Sequence, residues 1–122
     1  MATVLTSTGE QALADITRGL ILTYPSWIGS GTGAGTTCKG STGLFTETCD
    51  ARSTGTLSSP TASKLRNVGT VSYGASKTVT NAGELVTSST GNQCGLVVHG
   101  DFTGIGVANG DSIQFTIDLT CA

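Results

Sequence analysis

The sequence predicts a mainly β domain, an antiparallel sandwich or barrel, with one helix near the N-terminus. The clearest observation is the alternation of apolar and polar residues from Ser112 to Thr120. A period of two places one row of side chains against a core and the other row in water. Short apolar runs also recur every ~8–12 residues from Val68 onwards, between Gly, Asn and Ser, which is typical of sandwiches and barrels. A length of 122 residues suits a single domain, residues 1–122.

The helix is predicted at residues 7–20. Ser7 and Glu10 have the spacing of a capping box, in which the serine hydroxyl accepts a hydrogen bond from the first turn. Gly19 is a typical end signal for a helix. Apolar residues at intervals of three and four give the segment one apolar stripe, Leu13, Ile16 and Leu20.

The β domain is predicted at residues 27–122. Its first element is the apolar pair Trp27–Ile28, and the glycine-rich run at 29–35 is not expected to form regular structure. Residues 36–66 are predicted to be loops with short strands. Asn81-Ala82-Gly83 is predicted to be a bend between two strands, and Asn109-Gly110 a tight hairpin turn before the last strand. The denser strand pattern covers residues 68–73, 77–80, 84–86, 96–99, 100–107 and 112–120.

Composition excludes several classes of function. Charged residues make up only 11% of the chain and the net charge is −2, and the six basic residues form no run, so nucleic-acid binding is not expected. No stretch approaches the ~20 apolar residues of a membrane span. The N-terminus lacks the features of a secretory signal, so we expect the product to stay in the cytosol unless it leaves inside an assembled particle. A neutral surface rich in Thr and Ser suits packing between subunits, because burying Thr costs far less than burying Lys.

The four cysteines lack the spacing of a metal or redox site. No pair is close enough for a zinc knuckle, and no C-x-x-C motif is present. They are either small buried apolar residues or disulfide partners. Of the three possible pairings we favour Cys38–Cys49 and Cys94–Cys121.

Catalytic and cofactor motifs are not recognisable. Ala34 stands where a G-x-G-x-x-G motif starting at Gly29 needs its last glycine, and Lys39 is not placed as in a phosphate-binding loop. His99 and Asp101 could in principle form a catalytic triad with a serine, but no serine lies in a G-x-S-x-G elbow. We therefore predict no catalytic, cofactor-binding or metal residues. Asp50 and Arg52 are expected to form a local ion pair.

Several short motifs follow one another over nearly the whole chain: Leu5-Thr6 with Gly9 and Ala14, Trp27-Ile28-Gly29 through Gly33, Leu44-Phe45-Thr46-Glu47, Val79 to Leu85, and Asn109 to Ile117. In this order they resemble a family of small structural proteins of tailed bacteriophages. At Glu84 the sequence departs from that family, which commonly has a bulky apolar residue there.

The resemblance implies a non-enzymatic virion component, made in the host cytoplasm, without a cofactor. The first expectation is a head decoration (cement) protein that binds the major capsid protein as a homo-oligomer, with a trimer favoured. Residues 1–8 would then be a contact arm that becomes ordered on binding. The residues expected at interfaces or in the core are Ala2, Thr3, Val4, Leu5, Trp27, Phe45 and Phe102.

Two alternatives stay open. A tail, collar or fibre component would differ from a cement protein chiefly in copy number. A carbohydrate-binding β module would use exposed aromatic rings on a β face, and the chain has only six aromatic residues.

Overall fold

A computed structural model describes residues 2–19, 26–86 and 96–120 and confirms a mainly β domain with one short helix. Within these residues the strands form two antiparallel sheets. The elements are β1 (Ala2–Leu5), α1 (Ser7–Thr17), β2 (Trp27–Gly31), β3 (Ser53–Thr54), β4 (Thr56–Thr61), β5 (Lys64–Ser72), β6 (Lys77–Leu85), β7 (Leu96–Val107) and β8 (Ser112–Thr120).

The two sheets pack face to face in a sandwich-like arrangement and do not close into a barrel. The larger sheet has the order β1-β7-β6-β2-β3 and the smaller one the order β4-β5-β8. A polar contact joins them where the hydroxyls of Ser30 and Tyr73 lie 2.8 Å apart. Both sheets contribute to the main core cluster, which contains Ile28, Val71, Tyr73, Val79 and Val107, with Phe102, Ile113, Phe115 and Ile117 packed against it.

The opposite face of the larger sheet is covered by the segment between β2 and β3, residues 32–52. Leu44 of this segment packs with Leu85 and Leu96 in a second apolar cluster. Glu47 forms an isolated antiparallel bridge with Gly31, so the segment returns along the end of β2. This packing makes a long connection without regular structure part of the folded domain.

The helix begins as predicted, but Thr6 caps it and Ser7 does not. The Thr6 hydroxyl accepts a hydrogen bond from the Gly9 amide at 3.0 Å, and it also contacts the carbonyls of β7 at Leu96 and Val97. The Thr6 amide donates to Val97, which continues the β1–β7 pairing and fixes where the strand ends and the helix starts. Glu10 bonds Lys39 at 2.8 Å instead of completing a capping box. The helix ends at Thr17, two residues before Gly19, and Leu20 lies outside the described residues.

Two sequence predictions about β2 and β6 were wrong. Residues 29–31 of the glycine-rich run belong to β2, where they pair with residues 81–83 of β6. β6 is therefore continuous through Asn81-Ala82-Gly83, and the predicted bend is only a register irregularity between Val79 and Asn81. The ladders on both sides keep the strand extended despite its turn-forming residues, since each backbone group in a central strand has a partner there.

The Asn109-Gly110 turn is present but does not form a hairpin. Gly110 has φ +91°, as the sequence required, and the Asp111 amide donates to Ala108 across the turn at 3.0 Å. The turn joins β7 of the larger sheet to β8 of the smaller sheet. The alternation predicted for β8 is confirmed, with its polar residues exposed and its apolar residues half-buried.

Candidate contact surface

The outer side of the smaller sheet presents a hydroxyl-rich face with few charges. In β8 the even-numbered residues are exposed, and their cross-strand partners in β5 and β4 lie on the same side. We call this surface the hydroxyl face. It consists of Thr56, Ser58, Lys64, Arg66, Val68, Thr70, Ser72, Ser112, Gln114, Thr116, Asp118 and Thr120.

The charges of the hydroxyl face are gathered in one cluster at its edge. Asp118 accepts two hydrogen bonds from Arg66, at 2.8 and 3.0 Å, and lies 3.7 Å from the Lys64 ammonium. Hydrogen bonding by Arg66 keeps the pKa of Asp118 below its ordinary value, so the carboxylate stays ionised. The remainder of the face has hydroxyls, an amide and one valine, which a partner can cover without desolvating an unpaired charge.

On the opposite side of the molecule, a buried ion pair holds residues 32–52 to the larger sheet. Arg52 Nε lies 2.6 Å from Glu47 Oε2, and Arg52 Nη2 lies 2.7 Å from Oε1. The two side chains are 0% and 4% exposed. The prediction of an Asp50–Arg52 ion pair is wrong. The Asp50 carboxylate instead accepts hydrogen bonds from the Lys77 ammonium, at 2.6 Å, and from the Gly74 amide.

Asn81 anchors the same segment through its backbone. Its Oδ1 accepts from the Phe45 amide at 3.0 Å, and its Nδ2 donates to the Phe45 carbonyl at 3.1 Å. Oδ1 also lies 3.1 Å from His99 Nε2. The Asn81 side chain therefore makes two hydrogen bonds to the Phe45 backbone, as the backbone of a neighbouring strand would do.

His99 is fully buried beneath Phe45, with ring centroids 4.6 Å apart in an edge-to-face arrangement. Its Nδ1 has no hydrogen-bond partner. Its contacts are with Asn81 and Phe45, so the triad drawn with Asp101 and a serine does not assemble around this ring. The position is that of a core residue.

We expect His99 to make the fold weaker in mild acid. Burial keeps the pKa of His99 below its ordinary 6.5, an effect that the nearby Asp101 carboxylate partly opposes. The unfolded chain then binds more protons than the folded one, so stability is full above the unfolded pKa and falls as pH drops toward the folded pKa. Urea unfolding at about pH 7.5 and pH 5.5 should show a lower free energy of unfolding at the lower pH.

The control for this expectation is His99→Gln, which removes the titrating group and should flatten the pH dependence. The carboxylates with lowered pKa, such as Asp118, titrate below this window. A wild-type stability that is unchanged or higher at the lower pH would contradict the assignment.

The predicted interface residues lie on several elements, and Phe102 lines one cleft together with Thr3 and a second cleft together with Phe45. Ala2–Leu5 is an edge strand paired with β7, so this part of the proposed arm at residues 1–8 is already ordered within the domain. Trp27 is half-buried at the start of β2, and the Phe45 ring packs against the His99 ring. Phe102 packs against Phe115 of β8, with ring centroids 6.2 Å apart.

The favoured Cys38–Cys49 disulfide is absent, and both cysteines are free and exposed. The segment between β2 and β3 places the two cysteines near opposite ends of β6. The carbonyl of Lys39, next to Cys38, accepts a hydrogen bond from the Ser7 amide at the start of α1. The carboxylate of Asp50, next to Cys49, accepts one from the Lys77 ammonium at the start of β6. The other predicted pair, Cys94 and Cys121, lies outside the described residues.

In the described part of the chain, no group of three or more His, Cys, Asp or Glu could hold a metal ion. None of its helices is long and apolar enough to cross a membrane. No family model, curated protein or solved structure matches the chain.

Part of this arrangement was predictable from the sequence. The alternation in β8 identified one strand of the hydroxyl face, but β4 and the register that completes the face were not predicted. The anchors Glu47, Arg52 and Asn81 were missed as structural residues, because their partners are distant in sequence or lie in an irregular segment.

Proposed function

We propose that this protein is a non-enzymatic virion structural protein and, more specifically, a capsid decoration (cement) protein that stabilises a phage head. The observation that carries the proposal is the hydroxyl face. It is an exposed sheet surface whose only charges, Lys64, Arg66 and Asp118, are gathered in one ion-paired cluster. The sequence motifs shared with small tailed-phage structural proteins support the same conclusion.

Repetition makes weak contacts effective. A hydroxyl-rich face with few charges can be buried at little desolvation cost, although each contact is weak. On a symmetric shell the same contact recurs many times, and a homo-oligomer, with a trimer favoured, engages several capsid subunits at once. The anchoring of residues 32–52 by Asn81 and by the Glu47–Arg52 pair makes the domain rigid, which lowers the entropy lost on binding.

The alternatives differ in what they require of the surface. A tail, collar or fibre component would use the same contact chemistry at lower copy number. A carbohydrate-binding module would need aromatic rings for stacking, and the hydroxyl face has none among its residues. The surface chemistry therefore favours protein contacts.

The first test is to purify the virion and to quantify this protein against the major capsid protein by mass spectrometry. A ratio close to one copy per capsid subunit is expected for shell decoration. A handful of copies per particle would replace the proposal with a tail, collar or fibre role. Absence from the particle would overturn the structural assignment, and a glycan array would then test the carbohydrate alternative.

A matched pair of variants then tests the surface. Thr70 is exposed in the middle of the hydroxyl face, and Thr8 is exposed on α1. We expect Thr70→Lys to weaken binding to virions depleted of this protein by about tenfold or more, since a buried Lys must lose its hydration. Thr8→Lys should bind as the wild type does. Equal binding by both variants would exclude the hydroxyl face as the contact.

A further inference from the structure

His99 lies in a central strand and is covered by an irregular loop. Its side chain is 0% exposed. At this residue β7 pairs with Val4 of β1 on one side and with Gly83 of β6 on the other, so two ladders hold the strand. The Phe45 ring packs on the imidazole at the end of residues 33–45, which we call the cover loop. Moving the cover loop is therefore the least disruptive way to bring water to the ring.

The hydrogen bonds of Asn81 fix the tautomer of His99. The Phe45 amide must face the Asn81 side-chain oxygen and the Phe45 carbonyl its nitrogen, which assigns Oδ1 and Nδ2. Asn81 Oδ1 has no hydrogen to give, so His99 Nε2, 3.1 Å away, is the donor. The neutral ring carries its one hydrogen on Nε2, and the atom left to accept a proton is Nδ1, which is buried without a partner.

A proton on Nδ1 creates a charged donor with no acceptor in the closed structure. A buried charge without a hydrogen-bond partner costs much more than a neutral acceptor without one. Burial accordingly keeps the pKa of His99 below its ordinary value, and the Asp101 carboxylate partly opposes this effect. With the cover loop open, the ring is hydrated and its pKa returns to ~6.5. The open form then binds more protons, so opening becomes more favourable as pH falls below ~6.5 toward the pKa of the closed form.

Asp101 is the charged group that faces His99 from its own strand, and its carboxylate accepts a hydrogen bond from the Thr37 amide at 3.3 Å. The residues opposite His99 in β1 and β6 are uncharged. Glu84 of β6 points to the opposite face of the sheet, by the alternation of a strand. The other charged side chains on α1, β6 and residues 32–52 form ion pairs: Glu10 with Lys39, Asp15 with Arg18, Glu47 with Arg52, and Lys77 with Asp50.

We propose that protonation of His99 releases the cover loop in mild acid while both sheets stay folded. The cover loop has no strand or helix of its own. Asn81 holds it at Phe45, and the Thr37–Asp101 bond holds it further along. The Asn81 oxygen that bonds the Phe45 amide also bonds His99, so a change at the ring acts directly on this anchor. The switch does not depend on the virion assignment.

Opening changes what the larger sheet presents to a partner. Leu44 belongs to the cover loop and packs with Leu85 and Leu96, which are both 0% exposed. When the loop leaves, these two leucines face water. The open form therefore offers an apolar patch that the closed form hides.

Native-state hydrogen exchange of the whole protein, followed by NMR, tests the switch. Protection factors at about pH 7.5 and about pH 5.5 correct for the intrinsic effect of pH on exchange. One proton bound with a pKa of ~6.5 in the open form allows a shift of up to about tenfold in the opening equilibrium over this range. We expect the protection of the Phe45 amide to fall by about five- to tenfold. Low urea should accelerate the β5–β8 amides much more than the Phe45 amide, because opening exposes less surface than global unfolding does.

Two variants separate His99 from the other contacts of the loop. His99→Gln keeps an N–H donor for Asn81 but cannot take up a proton, so the protection of the Phe45 amide should be equal at the two pH values. Glu10→Gln removes the surface ion pair with Lys39 of the cover loop and should keep the wild-type pH dependence. The wild-type imidazole gives a check that needs no variant, since its nitrogen NMR signals should show hydrogen on Nε2 alone at neutral pH.

Several results would overturn the proposal. One is a protection of the Phe45 amide that does not change with pH, and another is a Phe45 amide that matches the β5–β8 amides in protection and in urea dependence. A neutral ring with its hydrogen on Nδ1 would contradict the tautomer. A pH response that persists in His99→Gln would show that another group operates the loop.

Discussion

Glu47→Gln should lower the free energy of unfolding by about 3–5 kcal/mol. Glu47 and Arg52 form two short hydrogen bonds to each other, and both side chains are almost completely buried. A glutamine can still accept one hydrogen bond, but it removes the carboxylate charge that faces the guanidinium in a place that water does not reach. Removing one partner of a buried pair is much more costly than removing both, because the remaining charge keeps its desolvation penalty.

Chemical denaturation at neutral pH measures this effect. Glu10→Gln is the matched control, since Glu10 bonds Lys39 on the surface, where an ion pair contributes less than ~1 kcal/mol. The double variant Glu47→Leu with Arg52→Met should recover much of the loss, because it removes both buried charges. A loss below ~1 kcal/mol for Glu47→Gln, equal to that of the control, would contradict the buried-pair interpretation.

Asn81→Leu should lower the free energy of unfolding by about 3 kcal/mol and release residues 32–52 from the larger sheet. The asparagine satisfies both backbone groups of Phe45, and it is itself 0% exposed. Leucine has a similar volume but no polar atoms, so the Phe45 amide and His99 Nε2 lose the oxygen they bond, whereas the Phe45 carbonyl keeps its bond from the Gly33 amide. Each buried polar group left unsatisfied costs ~1–3 kcal/mol.

The local readout is hydrogen exchange at the Phe45 amide, which should become much faster than in the wild type, while the β5–β8 amides stay protected. Asn109→Leu, in the exposed turn after β7, is the control for the substitution itself. If Phe45 exchange were unchanged, Asn81 would not be the anchor of this segment.

Local patterns predicted the strands that lie at the surface. In β8 the side chains alternate between core and water, so burial appears directly as a period of two. The start of the helix was recognisable from the spacing of Ser7 and Glu10, although the choice of Thr6 as the cap depended on the pairing of β1 with β7. The alternation in β8 and the start of the helix are both signalled by residues close together in the sequence.

The central strands were harder to predict. Both faces of β6 are covered, so its sequence shows no alternation, and Asn81 and Gly83 suggested a turn. Neighbouring ladders override that local preference, since a backbone group in the middle of a sheet must find a partner. The same reasoning explains why residues 29–31 became part of β2.

The fold class, the low-charge, hydroxyl-rich composition and the solvent-facing side of β8 could be predicted from the sequence, because each depends on composition or short-range periodicity. That β4, β5 and β8 share one outer face and that Cys38 and Cys49 lie apart was decided by the three-dimensional packing. It also decided that Glu47, Arg52 and Asn81 hold the long connection in place. These features depend on strand order and register, which are set by packing between residues far apart along the chain.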